Sequence, residues 1–353
     1  MRITELSETI DYLLDLCRDL ELRVKPVKQE SENTILLEGP EKETIVIDLR
    51  ETETSMLEQV LAQIVVDFDT LPLLVRGDSK EIRLLTQRIA LARLLPTVYS
   101  FTYNRYGLAP GTDEVRARFS AELFRKMASE PGPFHLGSAF LGLVDTEKGP
   151  LLAEQVVETC NIEVRVKRFH IGSPLHRYLY ADRHPTRNDG LPLERWNRFG
   201  EPVVCFDWRH PLHDETGKRL ADEPLPDDYA ALWMDDLPAA KKLARDAFLW
   251  IEERFSRAEL QLVDICFFID RTGTVLYGEI SPDCMRVRDG ASADAEAFDK
   301  DLWRSGGSPE EVLARYRSLY ELVFGEPEKA SCQPLTLKKR SVNHESDHQT
   351  ENR

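Results

Sequence analysis

The sequence is poor in cysteine and has no long apolar run. Six cysteines are scattered among 353 residues without a C-x-x-C pair, which favours reduced thiols in the cytoplasm over a disulfide framework or a zinc site. No run approaches the roughly 18 apolar residues of a membrane-spanning helix, and the acidic, amphipathic start of the sequence lacks the basic region of a secretory signal. We therefore expect a cytoplasmic protein that has no membrane partner.

Basic residues are outnumbered by acidic ones. Lysine and arginine total 46 against 62 aspartates and glutamates, which gives a net charge of −16. Binding to a phosphate backbone needs a basic surface, so this balance argues against a nucleic-acid partner. Hydrophobic residues make up 42% and charged residues 31%, which is ordinary for a globular protein long enough to form more than one lobe. A homo-oligomer is compatible with this composition.

Hydrophobic periodicity and turn residues divide the chain into four predicted parts. Residues 1–70 combine two amphipathic helices with a hairpin formed by TILLEG and ETIVIDL, which indicates an accessory α/β module. Residues 71–160 and 161–325 each combine predicted strands with a long helix, and the polar segment 326–353 is typical of a disordered tail. The predicted class is α+β, with antiparallel sheets, flanking helices and a substrate cleft between two lobes.

The stretch GEISPDCMRVRD, residues 278–289, carries the most specific pattern in the chain. A strand ends at an acidic residue and is followed by a Ser-Pro-Asp turn, in which proline fixes φ and the Ser and Asp side chains can bond nearby amides. This turn would place Asp283 and Arg286 together at the mouth of a strand. A capped turn with a surface ion pair accounts for the same spacing.

Four segments, in the same order along the chain, resemble motifs of SAICAR synthetase (phosphoribosylaminoimidazole-succinocarboxamide synthase). They are GDSK at residues 77–80, the strand at 161–168 that leads to Gly172 and Ser173, the hairpin LVDICFFIDRTGTVLYGEISPDCMR, and DKDLWR at residues 299–304. The resemblance extends from residue 73 to about residue 325. It implies a two-lobe fold and a ligase that joins aspartate to a carboxylated aminoimidazole ribonucleotide with Mg-ATP.

The resemblance also implies a binding site for the phosphoribosyl group and a set of catalytic candidates. The residues expected to contact the substrate are polar or basic and lie in the later motifs: Lys167, Arg168, Ser173, Arg286, Lys300 and Arg304. The candidate catalytic residues are Asp283, Asp264 and His176. A solvated basic face is the alternative interpretation of the cations, and a plain hydrogen-bonding role is the alternative for His176.

Several charged residues that the family uses for ATP and its metal are absent from the matching positions. The first lysine of the opening hairpin is replaced by Asp78, so that only Lys80 remains, and a carboxylate there would repel a triphosphate. The strand that carries a lysine and a glutamate in the family has Cys266 and Phe268. The Asp-Glu pair before Ser-Pro-Asp is reduced to Glu279.

The preserved and lost positions leave three alternatives. The first is an enzyme that transforms a purine- or histidine-pathway-like phosphoribosyl nucleotide without ATP, by ring closure, rearrangement or proton transfer; the resemblance implies a setting in the biosynthesis of purine-like nucleoside antibiotics. The second is a true ATP-dependent carboxylate–amine ligase, in which Lys80 would bind ATP and Glu279 and Asp214 would hold Mg²⁺. The third is a non-catalytic nucleotide-binding scaffold. The missing charges favour the first alternative, with no cofactor.

Overall fold

The computed structural model describes residues 3–31, 33–100, 105–187, 190–209, 214–217, 220, 223–290 and 295–325. The helices in these ranges are α1 (Ile3–Asp19), α2 (Glu53–Gln63), α3 (Thr112–Ser129), α4 (Ser173–Arg177), α5 (Asp227–Ala230), α6 (Leu237–Arg257), α7 (Asp301–Arg304) and α8 (Pro309–Phe324). The strands are β1 (Lys25–Ser31), β2 (Thr34–Glu38), β3 (Thr44–Asp48), β4 (Leu73–Arg76), β5 (Lys80–Leu84), β6 (Ile89–Leu94), β7 (Thr97–Ser100), β8 (Arg105–Leu108), β9 (Phe140–Thr146), β10 (Gly149–Gln155), β11 (Ile162–Phe169), β12 (Arg198–Trp208), β13 (Glu223–Leu225), β14 (Gln261–Ile269), β15 (Leu276–Tyr277) and β16 (Met285–Arg288). The predicted tail, residues 326–353, lies outside the described residues.

The predicted N-terminal hairpin forms between β2 and β3. Apolar residues pair across it, with Ile35 opposite Ile47 and Leu37 opposite Ile45, and all four are buried. Since side chains alternate along a strand, these residues share one face of the hairpin. β1 adds a third antiparallel strand, and the buried face packs against α2.

A five-stranded antiparallel sheet, in the order β4-β5-β6-β10-β9, forms the next layer. One face, which includes Leu91 and Leu151, shares a hydrophobic cluster with the N-terminal helices and strands. The other face, which includes Leu152, packs against Ala117 and Ala121 of α3. The core of the N-terminal module is therefore continuous with that of the sheet, and the four-part division of the chain stays a prediction.

The second large sheet has the order β13-β12-β11-β14-β15, and β16 also pairs with β14. Along β11, Val166 is buried in the hydrophobic core that contains α6, so Arg165 and Lys167 point to the opposite side. Lys167 lies opposite Asp264 of β14, and Asp264 lies opposite Arg286 of β16. We call the side of the sheet that carries these four polar residues the charged face.

The observed architecture confirms the α+β prediction. Antiparallel sheets with flanking helices make up both lobes, and the additional N-terminal sheet is present. Each helix in the described part of the chain is too short or too polar to cross a membrane.

Truncation of Leu91 tests the shared core of the N-terminal module and the five-stranded sheet. Leu91 is fully buried, and Leu91→Ala should lower the free energy of unfolding by about 2–5 kcal/mol because it leaves a cavity. Leu73 is 53% exposed on the edge strand β4, and Leu73→Ala should change stability by only about 0.5 kcal/mol. Chemical denaturation measures both variants, and equal losses would contradict this packing.

Candidate functional site

Asp264 lies at the centre of the charged face. Its Oδ2 accepts hydrogen bonds from Lys167 Nζ and Arg286 Nη1, both at 2.6 Å, and both Asp264 and Lys167 are buried. Burial alone would raise the pKa of Asp264, but Arg286 and Lys167 lower it to about 2. Lys167 also donates to the carbonyl oxygen of Ile171 at 3.1 Å. In the structure, Asp264 therefore holds both Lys167 and Arg286 in position; a catalytic role for Asp264 stays a prediction.

The turn at Gly172 and Ser173 brings the backbone close to Arg286. Gly172 has a φ of +77°, and a Cβ atom there would lie 3.0 Å from Arg286 Nη1, so the turn requires glycine. Ser173 begins α4, and its Oγ accepts a hydrogen bond from Arg165 Nη1 at 2.6 Å. Guanidinium groups therefore lie beside both residues of the turn.

A second buried aspartate, Asp207 of β12, holds two arginines near the turn. Its carboxylate oxygens lie 2.9 Å from Arg165 Nη1 and 2.7 Å from Arg177 Nη1. Nη2 of Arg177 is buried and has no hydrogen-bond partner among the described residues. Because buried donors are normally paired, this nitrogen is an exception among the described residues of the charged face.

The Ser-Pro-Asp turn places Asp283 against the C-terminal helices. Ser281 Oγ accepts a hydrogen bond from the Asp283 amide at 3.2 Å, and Asp283 accepts from Lys300 Nζ and Tyr316 Oη, both at 3.2 Å. Burial would raise the pKa of Asp283, but Lys300 and Arg116 lower it to about 2. The carboxylate is therefore ionised at neutral pH, and it holds Lys300 beside it.

Asp301 ties the DKDLWR segment to the charged face. Its carboxylate pairs with Arg288 and Arg304 and lies 3.4 Å from Arg286 Nε. The neighbouring Asp299 is fully buried and accepts a hydrogen bond from Arg288 Nη1 at 2.6 Å. Burial and the charge of Asp301 raise the pKa of Asp299 to about 6. The segment thus gathers three arginines around two aspartates.

Glu279 has a buried partner that sequence reasoning missed. Its carboxylate accepts hydrogen bonds from Arg116 Nε at 2.7 Å and from Arg116 Nη2 at 2.9 Å, and the two residues are 3% and 1% exposed. Arg116 Nη1 donates to the carbonyl oxygen of Leu95 at 2.9 Å. Lys80 Nζ lies 3.7 Å from Glu279 Oε2. The sequence signal for Arg116 is its helical spacing from Phe119 on the buried face of α3.

Glu154 of β10 is a second carboxyl near Lys80 that the sequence did not single out. Its Oε1 accepts a hydrogen bond from the Gly278 amide at 2.6 Å. Burial raises the pKa of Glu154. The positive charge of Lys80 opposes this effect, and the negative charge of Glu279 adds to it. Lys80 Nζ also lies 5.4 Å from the centre of the Phe268 ring. Two cations and two carboxyls therefore meet where the two lobes join.

Most of the predicted site residues come together. A continuous set of contacts through Arg286, the turn at Gly172 and the DKDLWR segment connects Lys167, Ser173, Asp264, Asp283, Arg286, Lys300 and Arg304. Lys80 Nζ lies 3.7 Å from Glu279, and Ser281 connects Glu279 to Asp283, because its Oγ donates to Glu279 Oε1 and accepts from the Asp283 amide. The distances locate these residues, and their contacts with a substrate stay predictions.

The prediction for Arg168 is corrected by the structure. Arg168 lies on the opposite face of β11 from Lys167, because neighbouring residues of a strand alternate between faces. There its guanidinium pairs with Glu252 of α6 and donates to the carbonyl oxygen of Gly200 at 2.6 Å. Arg168 therefore stabilises the packing of α6 and does not belong to the charged face.

The described contacts do not test the predictions for two other residues, Asp214 and His176. Asp214 accepts hydrogen bonds from the amide and Oγ1 of Thr216 at 2.9 and 2.7 Å, which is the pattern of a local polar turn. His176 lies in α4, and its side chain is outside what the structure describes. The predicted roles of Asp214 and His176 stay predictions.

A two-lobe α+β fold with a charged sheet face defines the class of this protein, and sequence comparison defines its family. The sequence pattern of SAICAR synthetase matches residues 100–316. The chain belongs to the SAICAR synthetase family.

The relatives fall into two groups. The bifunctional cordycepin biosynthesis cluster protein 3 of Cordyceps militaris is 26% identical over 295 residues, and the match covers 71% of this chain and 32% of that protein. This chain thus spans about a third of that relative's length. Phosphoribosylaminoimidazole-succinocarboxamide synthase of Synechococcus sp. is 27% identical over 261 residues, covering 70% of this chain and 95% of that enzyme.

The fold comparison agrees with the family assignment. The structure of a type-2 SAICAR synthetase in complex with ADP superposes with a TM-score of 0.57 at 21% identity, covering 72% of this chain and 99% of the other. At this identity, the likeness establishes the fold of the matching part.

The pH dependence of stability tests the ionised state of Asp264. Its pKa of about 2 in the folded protein lies below the unfolded value of about 3.9, so its ionisation stabilises the fold above pH ~4 and this stabilisation is lost as the pH falls toward 2. Between pH 5 and 2, the wild type should lose about 2 kcal/mol more stability than Asp264→Asn. Urea unfolding at several pH values measures the slopes. The exposed Asp228 provides the control, since Asp228→Asn should keep the wild-type slope, and an unchanged slope in Asp264→Asn would refute the assignment.

Proposed function

We propose that this chain is an enzyme that binds a phosphoribosyl nucleotide on the charged face and transforms it without Mg-ATP, in the biosynthesis of a purine-like nucleoside. The observation that carries the proposal is the contrast between two parts of the molecule. Partly exposed cations lie beside the Ser173 turn and in the DKDLWR segment, whereas the Glu279 carboxylate is bound by a guanidinium of the protein itself.

The partly exposed cations support phosphate binding. Arg286, Lys300 and Arg304 keep 17%, 21% and 17% of their side chains exposed, and the half-buried Arg177 has one buried nitrogen, Nη2, without a hydrogen-bond partner among the described residues. Guanidinium groups match the oxygens of a phosphate through two parallel hydrogen bonds. Buried or half-buried aspartates fix Arg286, Lys300 and Arg304 in place before any ligand arrives, which reduces the entropy lost on binding.

The residues near Glu279 do not fit Mg-ATP. Mg²⁺ bound with ATP needs carboxylate and phosphate oxygens in an octahedral shell. Both oxygens of Glu279 accept hydrogen bonds from Arg116, and one also accepts from Ser281 Oγ at 2.5 Å. A metal ion would have to displace a buried guanidinium, which is unfavourable because breaking a buried ion pair leaves an uncompensated charge. The proposed reaction therefore uses neither Mg²⁺ nor ATP.

The chemistry that remains is proton transfer and ring closure. The pKa values of Asp264 and Asp283, both about 2, make these residues poor proton donors and suit them to holding cations. The raised pKa of the Glu154 carboxyl makes it a better proton donor at neutral pH. The name of the Cordyceps militaris relative, a cordycepin biosynthesis cluster protein, supports the nucleoside setting.

A carboxylate–amine ligase that uses ATP is the second candidate. Family membership and the position of Lys80 beside Glu279 favour it.

Ligand-dependent melting tests the proposal. A carboxylated aminoimidazole ribonucleotide at about a hundredfold excess over its Kd should stabilise the protein by about 2.7 kcal/mol, because it binds only the folded state. Mg-ATP should cause no shift. Arg286→Ala should abolish the response to the nucleotide, whereas Arg271→Ala, at an ion pair in which the arginine is 49% exposed, should keep it.

Each other outcome has a definite meaning. A shift with Mg-ATP equal to that with the nucleotide would replace the proposal with the ligase, and no response to either compound would contradict both candidates. A wild-type response in Arg286→Ala would show that the phosphoribosyl group binds elsewhere.

A further inference from the structure

Arg116 forms a closed contact with Glu279. Its Nε and Nη2 donate to the two different carboxylate oxygens at 2.7 and 2.9 Å, the paired arrangement that gives arginine–carboxylate contacts both strength and direction. Ser281 Oγ occupies a further site on Oε1 at 2.5 Å. With three donors on two oxygens, three of the roughly four lone-pair positions of the Glu279 carboxylate are committed inside the protein, and Lys80 Nζ lies 3.7 Å from Oε2, the oxygen that has the remaining position.

The surroundings of the Arg116 side chain fix its guanidinium in place. The side chain extends from α3 and is 1% exposed, and its Nη1 donates to the carbonyl oxygen of Leu95 at 2.9 Å. The charge of Asp283 also attracts it; although burial opposes this, Glu279 and Asp283 hold the pKa of Arg116 above its ordinary value. One guanidinium thus compensates the carboxylates on both sides of the Ser-Pro-Asp turn.

The local charge balance disfavours a further cation. Lys80, Arg116 and Lys300 contribute three positive charges around this turn, and Glu154, Glu279 and Asp283 contribute three carboxyls. A divalent ion without a nucleotide would add two uncompensated positive charges to a buried region, where Coulomb repulsion is weakly screened.

We propose that the guanidinium of Arg116 takes the place of the divalent cation at Glu279, so that Arg116 is the residue that determines the metal independence of this site. This inference rests on the proposed function, which it extends from the absence of a metal requirement to the residue that causes it. In this proposal Arg116 is a positioning residue, because it acts through Glu279 and touches no reacting atom.

Titration with Mn²⁺ alone, on the full chain and followed by electron paramagnetic resonance of the free ion, tests the inference. Wild-type protein should show no Mn²⁺ binding that Glu279→Gln removes. Arg116→Gln should gain a site that binds Mn²⁺ about tenfold more tightly than wild type or better, because one positive charge beside Glu279 and Glu154 is gone. The double variant Arg116→Gln/Glu279→Gln should lose that site again.

Arg118→Gln is the matched control. Arg118 lies on the same helix, is 31% exposed and pairs with Glu114 and Asp145 on the surface. Its removal also deletes one arginine and should leave Mn²⁺ binding at the wild-type level. A gain in this variant equal to that of Arg116→Gln would show that net charge alone attracts the ion and would overturn the inference.

Two further results would overturn it. One is Glu279-dependent binding of Mn²⁺ by the wild type, and this comparison decides the matter if circular dichroism shows that Arg116→Gln does not fold. The other is a folded Arg116→Gln variant that gains no site. Because the titration contains no nucleotide, its failure is separate from failure of the proposed function, which the melting experiment with the wild type decides.

Discussion

A carboxylate buried where two lobes meet needs a positive charge beside it, and Arg116 supplies that charge to Glu279. Because unpaired buried charges are strongly unfavourable, this contact couples α3 to the strand that leads into the Ser-Pro-Asp turn. The Ser-Pro-Asp turn fixes the position of Asp283, and Asp283 holds Lys300 beside it. The position of the DKDLWR segment beside the charged face is consistent with this chain of contacts.

The charged face follows from the same requirement. Alternation along β11 points Lys167 away from the hydrophobic core. The buried carboxylate of Asp264 compensates the positive charges of both Lys167 and Arg286. Internal pairs therefore use most of the charge on this face, and the partly exposed Arg286 lies beside the Gly172 turn. A ligand that carries a phosphate would meet a guanidinium that is already oriented.

Local patterns made much of this architecture predictable. The N-terminal hairpin, the long helices and the hairpin before Asp283 all depend on periodicity and turn residues, which are local properties. The contact between Asp283 and Lys300 was not predicted, because the two residues lie in different motifs and no local pattern joins them. Arg168 was misplaced because adjacent basic residues were assigned to one surface, although a strand separates neighbours. Arg116 was missed because its partner lies 163 positions along the chain, and such a pairing has no local signal.

The metal independence of the site is tested most directly by a crystal structure of the protein grown with both a carboxylated aminoimidazole ribonucleotide and Mg-ATP. We expect electron density for the phosphoribosyl group between Ser173 and Arg286, with the Arg116 guanidinium still hydrogen-bonded to Glu279. Density for a triphosphate against Lys80, with an ordered divalent ion bound to Glu279 and Arg116 displaced, would contradict it.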